Sequence, residues 1–449
     1  MTRKMKDSGI EWIGEIPEDW EIVKLKHLAL DRQAGVWGKD ENQDNLTNNK
    51  ICIRIADFDY PRMTIRKDKE FTLRNYTDNE ISKCSLQKGD ILIEKSGGGE
   101  KTPVGRTIIW NEDFQALYAN FIERLRVDKK QILPMFAQFC FFAFYGIGGS
   151  NLYFNQTTGI QNLNITGMMN DLRLPTPDLS TQIKIVDILD RKRNQIESIK
   201  SAIIKEIQTL EDYKKSIITE AVTKGLDKNV EMKDSGIEWI GEIPKHWSIK
   251  TIKSITTKSE RGTSPSYVDD NTKSKVVNQA TFSQGVFDKT NIKYSIIPAS
   301  QSKGLLQKGD VLLASTGGGV LGKTHYFMEN DEYVADGHVT ILRTNPAIQN
   351  NKILFYIFST NYELINGLLA KGSTNQTELQ SVWLKNFKVP YAPIEEQIRI
   401  VNHLDQKCEL IDDSISIKQK QLETLEEYKK SLIYEYVTGK KEVNDGEES

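Results

Sequence analysis

The apolar positions fall into two kinds of pattern that alternate along the chain. Leu189, Ile196, Ile203, Leu210 and Ile217 recur at every seventh residue. The same spacing returns as Leu404, Ile411, Lys418, Leu425 and Leu432. Ile199, Ile207 and Tyr213 widen the first stripe, and Ile415, Leu422 and Tyr428 widen the second. A seven-residue apolar repeat sustained over four heptads keeps one stripe of a helix against a partner helix. Two long helices are therefore predicted, over 178–225 and 393–440, burying each other's seams. The alternative is that each helix packs only on its own domain. Lys418 stands at a seam position, where a charge costs stability and can fix register.

Both helices start behind prolines, in LPTPDLSTQIKIVDILD (174–190) and VPYAPIEEQIRIVNHLD (389–405). Proline cannot extend a helix backwards. Asp178 or Ser180 can cap the first helix, and Glu395 and Glu396 suit the first turn of the second. Between the helices the apolar runs are short and bounded by turn residues. LQKGDILIEKSGGG (86–99) and LQKGDVLLASTGGG (306–319) read as a turn, a buried strand and a glycine loop. NFIERLR (120–126) and GHVTILR (337–343) read as matching strands. Ile132–Ile147 is the most apolar stretch; it falls short of the roughly 20 residues that span a bilayer, so a buried helix is expected.

These pairs belong to an internal duplication. MKDSGIEWIGEIP stands at 5–17 and again, unchanged, at 232–244. LEDYKKSIITEAVTKG (210–225) returns as LEEYKKSLIYEYVTGK (425–440). A period of about half the chain means two copies of a domain, because solenoid repeats run to about 20–50 residues. Two divergent regions thus sit on one repeated scaffold. The expected fold is mixed α/β (α+β) with an internal pseudo-two-fold repeat.

Composition narrows the function. Lys and Arg number 60 against 62 Asp and Glu, a net charge of −2. The chain as a whole is no polycation, so contact with nucleic acid must rest on local patches or on a partner's charge. Cys52, Cys84, Cys140 and Cys408 are scattered and lack zinc-ligand spacing, which fits reduced thiols and a cytoplasmic location. MTRKMKDSG lacks the apolar core of a signal peptide.

Gly317 to Thr324 fits the phosphate-cradling G-x-x-x-x-G-K-T pattern. A true P-loop opens a helix, whereas His325-Tyr-Phe-Met reads as a strand. The sister loop, SGGGEKTPVGR (96–106), lacks the Lys-Thr pair. Both loops also fit DNA contact: exposed backbone amides, hydroxyls and a cation serve phosphates and base edges. The candidates are Lys95, Ser96, Gly98, Lys101 and Arg106 in the first copy, and Ser315, Thr316, Gly318 and Lys323 in the second. Asn155 and Gln156 are matched in sequence by Asn375 and Gln376. Their amides can contact adenine, though such residues also make ordinary turns. No catalytic constellation or metal-ligand spacing is present among the five histidines, so no catalytic or metal residue is assigned.

The alternation of two variable regions with two helices, each starting at a proline boundary and an E-Q-x-x-I-V-x-x-L-D type sequence, resembles the specificity (S) subunit of type I restriction–modification systems. The likeness covers nearly the whole chain; Thr181 stands where the second copy has Glu396. The resemblance implies two target-recognition domains, each reading half of a split DNA sequence, held apart by two antiparallel coiled-coil helices. It implies a first recognition domain over 1–177, a helix over 178–225, a linker and second domain over 226–392, a helix over 393–440, and an acidic tail over 441–449. It also implies a non-enzymatic chain that binds no cofactor. Two methyltransferase (M) subunits would dock on the helices and methylate adenine with S-adenosylmethionine. Restriction (R) subunits would add ATP- and Mg-dependent cleavage. No membrane is implied. Partner or helix-pairing positions would be Gln182, Leu189, Ile196, Ile203, Leu210 and Ile217, with Gln397, Leu404, Ile411, Leu425 and Leu432. A nucleotide-binding protein and a coiled-coil protein-binding scaffold remain the alternatives.

Overall fold

The computed structural model describes residues 3–42, 46–99, 101–157, 159–317, 319–368, 370–371 and 378–443. Most of the expected acidic tail, from 444 onward, lies outside them. Four helices organise the chain: α1 (Pro134–Gly146), α2 (Leu179–Lys224), α3 (Asn351–Thr360) and α4 (Ile394–Val437). The chain forms two compact units. Unit 1 comprises Met1–Lys205 with Lys418–Ser449, and unit 2 comprises Glu206–Ile417. Each unit therefore contains one end of each long helix.

In unit 1, strands β1 (Ala29–Ala34), β2 (Asp90–Glu94), β4 (Thr107–Trp110) and β5 (Ile122–Val127) form an antiparallel sheet of order β4-β2-β5-β1. Strand β3 (Ser96–Gly97) continues the chain just past β2. Helix α1 packs on this sheet with Pro134 at its first position, where no amide hydrogen is needed. Phe136, Phe139, Phe141, Phe142 and Phe144 are all buried. A helix apolar on every side must be enclosed, and α1 is enclosed by protein. Among the described residues no helix is long and apolar enough to cross a membrane.

Unit 2 repeats the plan. Strands β8 (Thr256–Arg261), β9 (Val311–Ala314), β10 (Thr324–Tyr326) and β11 (Val339–Thr344) form an antiparallel sheet of order β8-β11-β9-β10. Helix α3 buries Ile353, Leu354, Ile357 and Phe358 in the unit's core.

The repeated KGD is explained by a buried ion pair. In unit 1 the Asp90 carboxylate takes Arg126 Nε at 2.7 Å and Nη2 at 2.9 Å, and the Gln87 amide at 2.8 Å. In unit 2 Asp310 takes Arg343 Nε and Nη2, both at 2.7 Å, and the Gln307 amide at 2.8 Å. Both aspartates are 1% exposed, so removing either arginine would strand a buried charge. The arginines end the NFIERLR and GHVTILR strands, which ties those two sequence landmarks to KGD.

The long helices pair antiparallel within each unit. In unit 1 Glu197 meets Lys429 at 2.7 Å, and Lys200, three residues on, meets Glu426, three residues back. Ile185 and Leu189 of α2 share a core with Leu432, Tyr436 and Val437 of α4. In unit 2 Lys214 meets Asp412 at 2.6 Å, and Ile218 and Val222 share a core with Ile400 and Leu404. Leu189, Ile196, Ile203, Leu404, Ile411 and Leu432 are buried, while Leu210, Ile217 and Leu425 are partly so. Ile199, Tyr213 and Tyr428 are a correction: each is about half exposed, outside the seam.

Gln182 and Gln397 also differ from the pairing role expected of them. Each is buried at a helix start and clamps a neighbouring loop. Gln182 accepts from the Leu133 amide at 2.7 Å and donates to the carbonyls of Gln131 (2.9 Å) and Pro177 (2.8 Å). Gln397 accepts from the Asn350 amide at 2.8 Å and donates to Ala392 (2.8 Å) and Ile348 (3.4 Å). Asp178 caps α2 by accepting from the Thr181 amide at 3.0 Å, and its bonds with Ser180 and Thr181 hold its carboxyl at about 2.

The unchanged MKDSGIEWIGEIP segments form hairpins, Met5–Asp7 with Glu15–Pro17 and Met232–Asp234 with Glu242–Pro244. Each receives the end of a long helix. A Cβ on Gly225, just past α2, would lie 3.2 Å from the Trp247 ring. One on Gly439, just past α4, would lie 2.4 Å from Pro17, and its φ of +71° is left-handed as well. Glycine is required there both for space and for conformation.

Candidate nucleic-acid interface

In unit 1 the chain leaves β2 at the buried Glu94 and enters the glycine loop. Strands β6 (Phe154–Thr157) and β7 (Ile160–Leu163) pair with β3 in the order β3-β7-β6. Ser96 lies opposite Asn162, and Asn162 opposite Asn155. Directly opposed residues point to one face, so the three form a row of a hydroxyl and two amides. Ser96 Oγ donates to Asn162 Oδ1 at 2.7 Å, while Asn155 and Asn162 are exposed. The glycine loop and the Asn-Gln motif, far apart in sequence, thus meet in one small sheet. Gly97, Gln161 and Gln156 form the next row. Gln161 is buried and accepts from the Val104 amide at 2.9 Å. A Cβ on Gly98 would lie 2.7 Å from Val104 N, and φ there is +67°.

Cations flank this row. Lys95 Nζ is 3.8 Å from Glu123, and Arg32 Nε is 3.0 Å from the same carboxylate. Both side chains keep about a third of their surface in water. Lys101 is exposed beside the loop, as is Phe121, whose carbonyl accepts from the Lys95 amide. Arg106 is a correction. Its Nε and Nη2 grip Glu94 at 2.8 and 3.1 Å, and Glu94, 1% exposed, holds the guanidinium firmly charged. A guanidinium spent on a buried carboxylate supports the loop and has no fork left for a phosphate or guanine.

In unit 2 strands β12 (Ala370–Lys371) and β13 (Glu378–Leu379) take the places of β6 and β7. The Leu379 amide donates to Ser315 O at 2.9 Å, as Leu163 does to Lys95 O at 2.8 Å. Thr316 lies opposite Glu378, and Glu378 opposite Lys371. Ser96 and Asn162 are therefore replaced by Thr316 and Glu378, and Lys371 stands at the strand position of Asn155. Asn375, Gln376 and Gly318 lie outside the described residues.

Ser315 is a second correction. It is fully buried, its hydroxyl bonded to Leu313 O at 3.2 Å and Thr340 Oγ1 at 2.5 Å, so it cannot reach DNA. Thr316 instead meets His338 Nδ1 at 2.7 Å and Gln279 Oε1 at 3.3 Å. Arg261, at the end of β8, pairs with Glu378 and donates to Leu379 O at 2.9 Å. Lys323 precedes β10 as Arg106 precedes β4, but Ala314 stands where the first copy has Glu94. Lys323 lies 5.8 Å from the Tyr362 ring centre, and no ion pair is found for it among the described residues. The Gly317–Thr324 segment leads into strand β10, not a helix, so it lacks the helix N-terminus a phosphate cradle needs.

Sequence reasoning missed Arg32, Phe121, Glu123 and Asn162 in unit 1, and Arg261, Gln279, His338 and Glu378 in unit 2. Arg261 stands just before Gly262, where a Cβ would lie 2.0 Å from Ala335 O; Arg32 stands three residues before the matching Gly35, 2.2 Å from Ala119 O. That pair of close-packed glycines was the available signal. Unit 1 thus offers a row of polar side chains flanked by partly exposed cations, and unit 2 sets Thr316 opposite Glu378 with the partly exposed Arg261 beside them. Amides, hydroxyls and arginines in such a row can pair with base edges while cations meet phosphates.

Two such surfaces stand on a duplicated scaffold, each in a unit that holds one part of the paired helices. The family described as the type I restriction modification DNA specificity domain matches residues 17–209 and 244–427. The chain belongs to that family. A Methanocaldococcus jannaschii protein provisionally assigned as the type I restriction enzyme MjaX specificity subunit is 27% identical over 445 residues, 95% of each chain. The EcoKI specificity subunit of Escherichia coli (strain K12) is 23% identical, over 88% of this chain and 83% of that one. A chain from a solved structure on complex assembly and conformational transition of the type I R-M system shares the fold. Its TM-score is 0.68 at 15% identity, covering 94% of this chain and 98% of that one.

Proposed function

We propose that this chain reads a two-part DNA target for a type I methylation and restriction complex, one half-site per unit. The carrying observation is a pair of matched strand positions, Ser96 opposite Asn162 and Thr316 opposite Glu378, which occupy one scaffold position and differ at both residues. A shared frame with divergent row chemistry is what independent reading of two sequences requires. Lys95, Lys101, Lys323, Arg32 and Arg261 supply the positive charge nearest the rows. With a net charge of −2, the chain relies on partners to embrace the duplex.

The chain itself is a non-catalytic, cytoplasmic subunit and binds no cofactor. Methyltransferase subunits, two per chain, use S-adenosylmethionine on adenine, and restriction subunits use ATP and Mg. Half-exposed apolar side chains on the helices suit the docking of methyltransferases: Ile199, Ile204 and Tyr428 in unit 1, and Tyr213, Leu410 and Ile417 in unit 2. The paired helices set the unread spacer between the half-sites.

The test is methylome sequencing of cells carrying the chain with its partners. Exchanging residues 21–175 for those of a relative should change one half of the methylated motif and leave the other. Simultaneous change of both halves would overturn independent reading. Alanine at Lys95 or Lys323 should weaken DNA binding and lower the salt slope by about 1 if the residue meets phosphate.

A further inference from the structure

We propose that Lys429 is a positioning residue that plants the first recognition domain on its helix pair, and that the second domain lacks this anchor. Lys214 and Lys429 hold matching places in LEDYKK and LEEYKK. Glu197 and Asp412 hold matching places in LDRKRNQIE and LDQKCELID. The same ion pair therefore forms in each unit, Lys429–Glu197 at 2.7 Å and Lys214–Asp412 at 2.6 Å. Their surroundings differ. Lys429 is 1% exposed, whereas Lys214 and Asp412 keep 30% and 57% of their side chains in water.

The cover over Lys429 is a hairpin belonging to the recognition domain, Phe58–Asp59 paired with Thr64–Ile65. Three of its tip residues, Tyr60, Pro61 and Arg62, touch helices. Tyr60 stacks on Phe142 at 5.0 Å and meets Tyr145 edge-on at 5.2 Å. The Pro61 carbonyl lies 3.4 Å from Lys429 Nζ. Arg62 is held by Asp59 at 3.1 Å and donates to Ser201 Oγ of α2 at 3.3 Å. Met63 is fully buried with φ +56°, the one left-handed non-glycine residue among the described residues. Such a conformation persists only where the surroundings enforce it. Lys429 also reaches Glu426 at 3.0 Å, and its Nζ lies 5.6 Å from the Phe142 ring centre. The ammonium thus joins α2, α4, α1 and the hairpin tip. A buried charge held by several partners fixes one arrangement, because any other leaves it unpaired.

The proposal rests on the reading of each unit as a half-site reader. If this hairpin foot sets how the first domain sits on the paired helices, loosening it should blur spacer length while leaving the half-site sequences unchanged. The experiment uses the full chain with its methyltransferase subunits and a plasmid series in which the native half-sites are separated by the native spacer and by spacers one and two base pairs longer or shorter. Lys429→Met should raise methylation at the adjacent spacers, relative to the native one, by about tenfold. In the chain alone it should speed amide exchange over 58–66 by about tenfold or more. Lys214→Met should do neither, and Lys429→Arg should restore much of the native behaviour. Should Lys429→Met be insoluble, Arg62→Ala and Tyr60→Leu loosen the same foot from its other side and should give the same two readouts. Unchanged exchange and spacer preference in the soluble foot variants, or an equal effect from Lys214→Met, would overturn the proposal. If the wild-type complex methylated no two-part motif, the functional reading would fall, and the exchange comparison would still judge the anchor.

Discussion

Replacing Gln182 by leucine should loosen the junction between α2 and the loop that leads into α1. Leucine matches glutamine closely in size, so the change removes hydrogen bonds without opening a large cavity. Three bonds go, from the Leu133 amide and to the carbonyls of Gln131 and Pro177, all between 2.7 and 2.9 Å. At about 1 kcal/mol net for each bond, with part of the desolvation cost of an amide left unpaired, the loss is about 3 kcal/mol. Gln397→Leu removes one bond that is already long, 3.4 Å to Ile348 O, where Ile348 is well exposed. Its cost should be smaller by about 1 kcal/mol. Native-state hydrogen exchange of the full chain reads this locally, which avoids treating two units as one unfolding transition. Amides in the first turn of α1 should exchange about 100-fold faster in Gln182→Leu, since 1.4 kcal/mol is a factor of ten. The first turn of α3 should respond less in Gln397→Leu. Acceleration below about threefold in both variants would show that these glutamines do not clamp the helix starts.

Two further outcomes follow from single contacts. Trp247 Nε1 donates to Glu396 at 2.9 Å, while the equally buried Trp20 Nε1, in the copy that has Thr181, finds no acceptor among the described residues. Trp247→Phe should therefore cost unit 2 about 1 kcal/mol more than Trp20→Phe costs unit 1, read as the larger drop in urea midpoint; equal drops would refute the pairing. His325 is stacked against Phe287 and Phe282, and burial holds its imidazole at about 4, with Glu329 pulling weakly the other way. Between that value and the ordinary 6.5 the unfolded chain binds the extra proton, so unit 2 should lose stability as pH falls through this window, by up to about 1.4 kcal/mol per pH unit. His325→Phe should flatten that slope, and a pH series of urea midpoints that gave wild type and variant the same slope would refute the burial of a neutral ring.

Features that depend on repetition and local pattern are legible in the residues alone. The duplicated segments, the proline-bounded helix starts, the heptads and the strand–glycine-loop order all record short-range geometry, and each shows directly in which residues stand where. The resemblance to specificity subunits could be drawn from the same features. Which polar groups remain available depends on packing between distant segments. Arg106 and Lys323 look alike in sequence, yet Glu94 occupies the first and Ala314 leaves the second without that carboxylate. Ser315 sits in a polar loop sequence but turns inward against Thr340. Asn162 and Glu378 became candidates only when strand register set them opposite Ser96 and Thr316. Ile199 and Tyr428 fit an apolar stripe but lie off the face that the partner helix covers. In every case the deciding partner is remote in sequence or unmarked by any motif. Burial and pairing are properties of three-dimensional neighbours, and a one-dimensional pattern fixes a residue's own element without fixing what packs beside it.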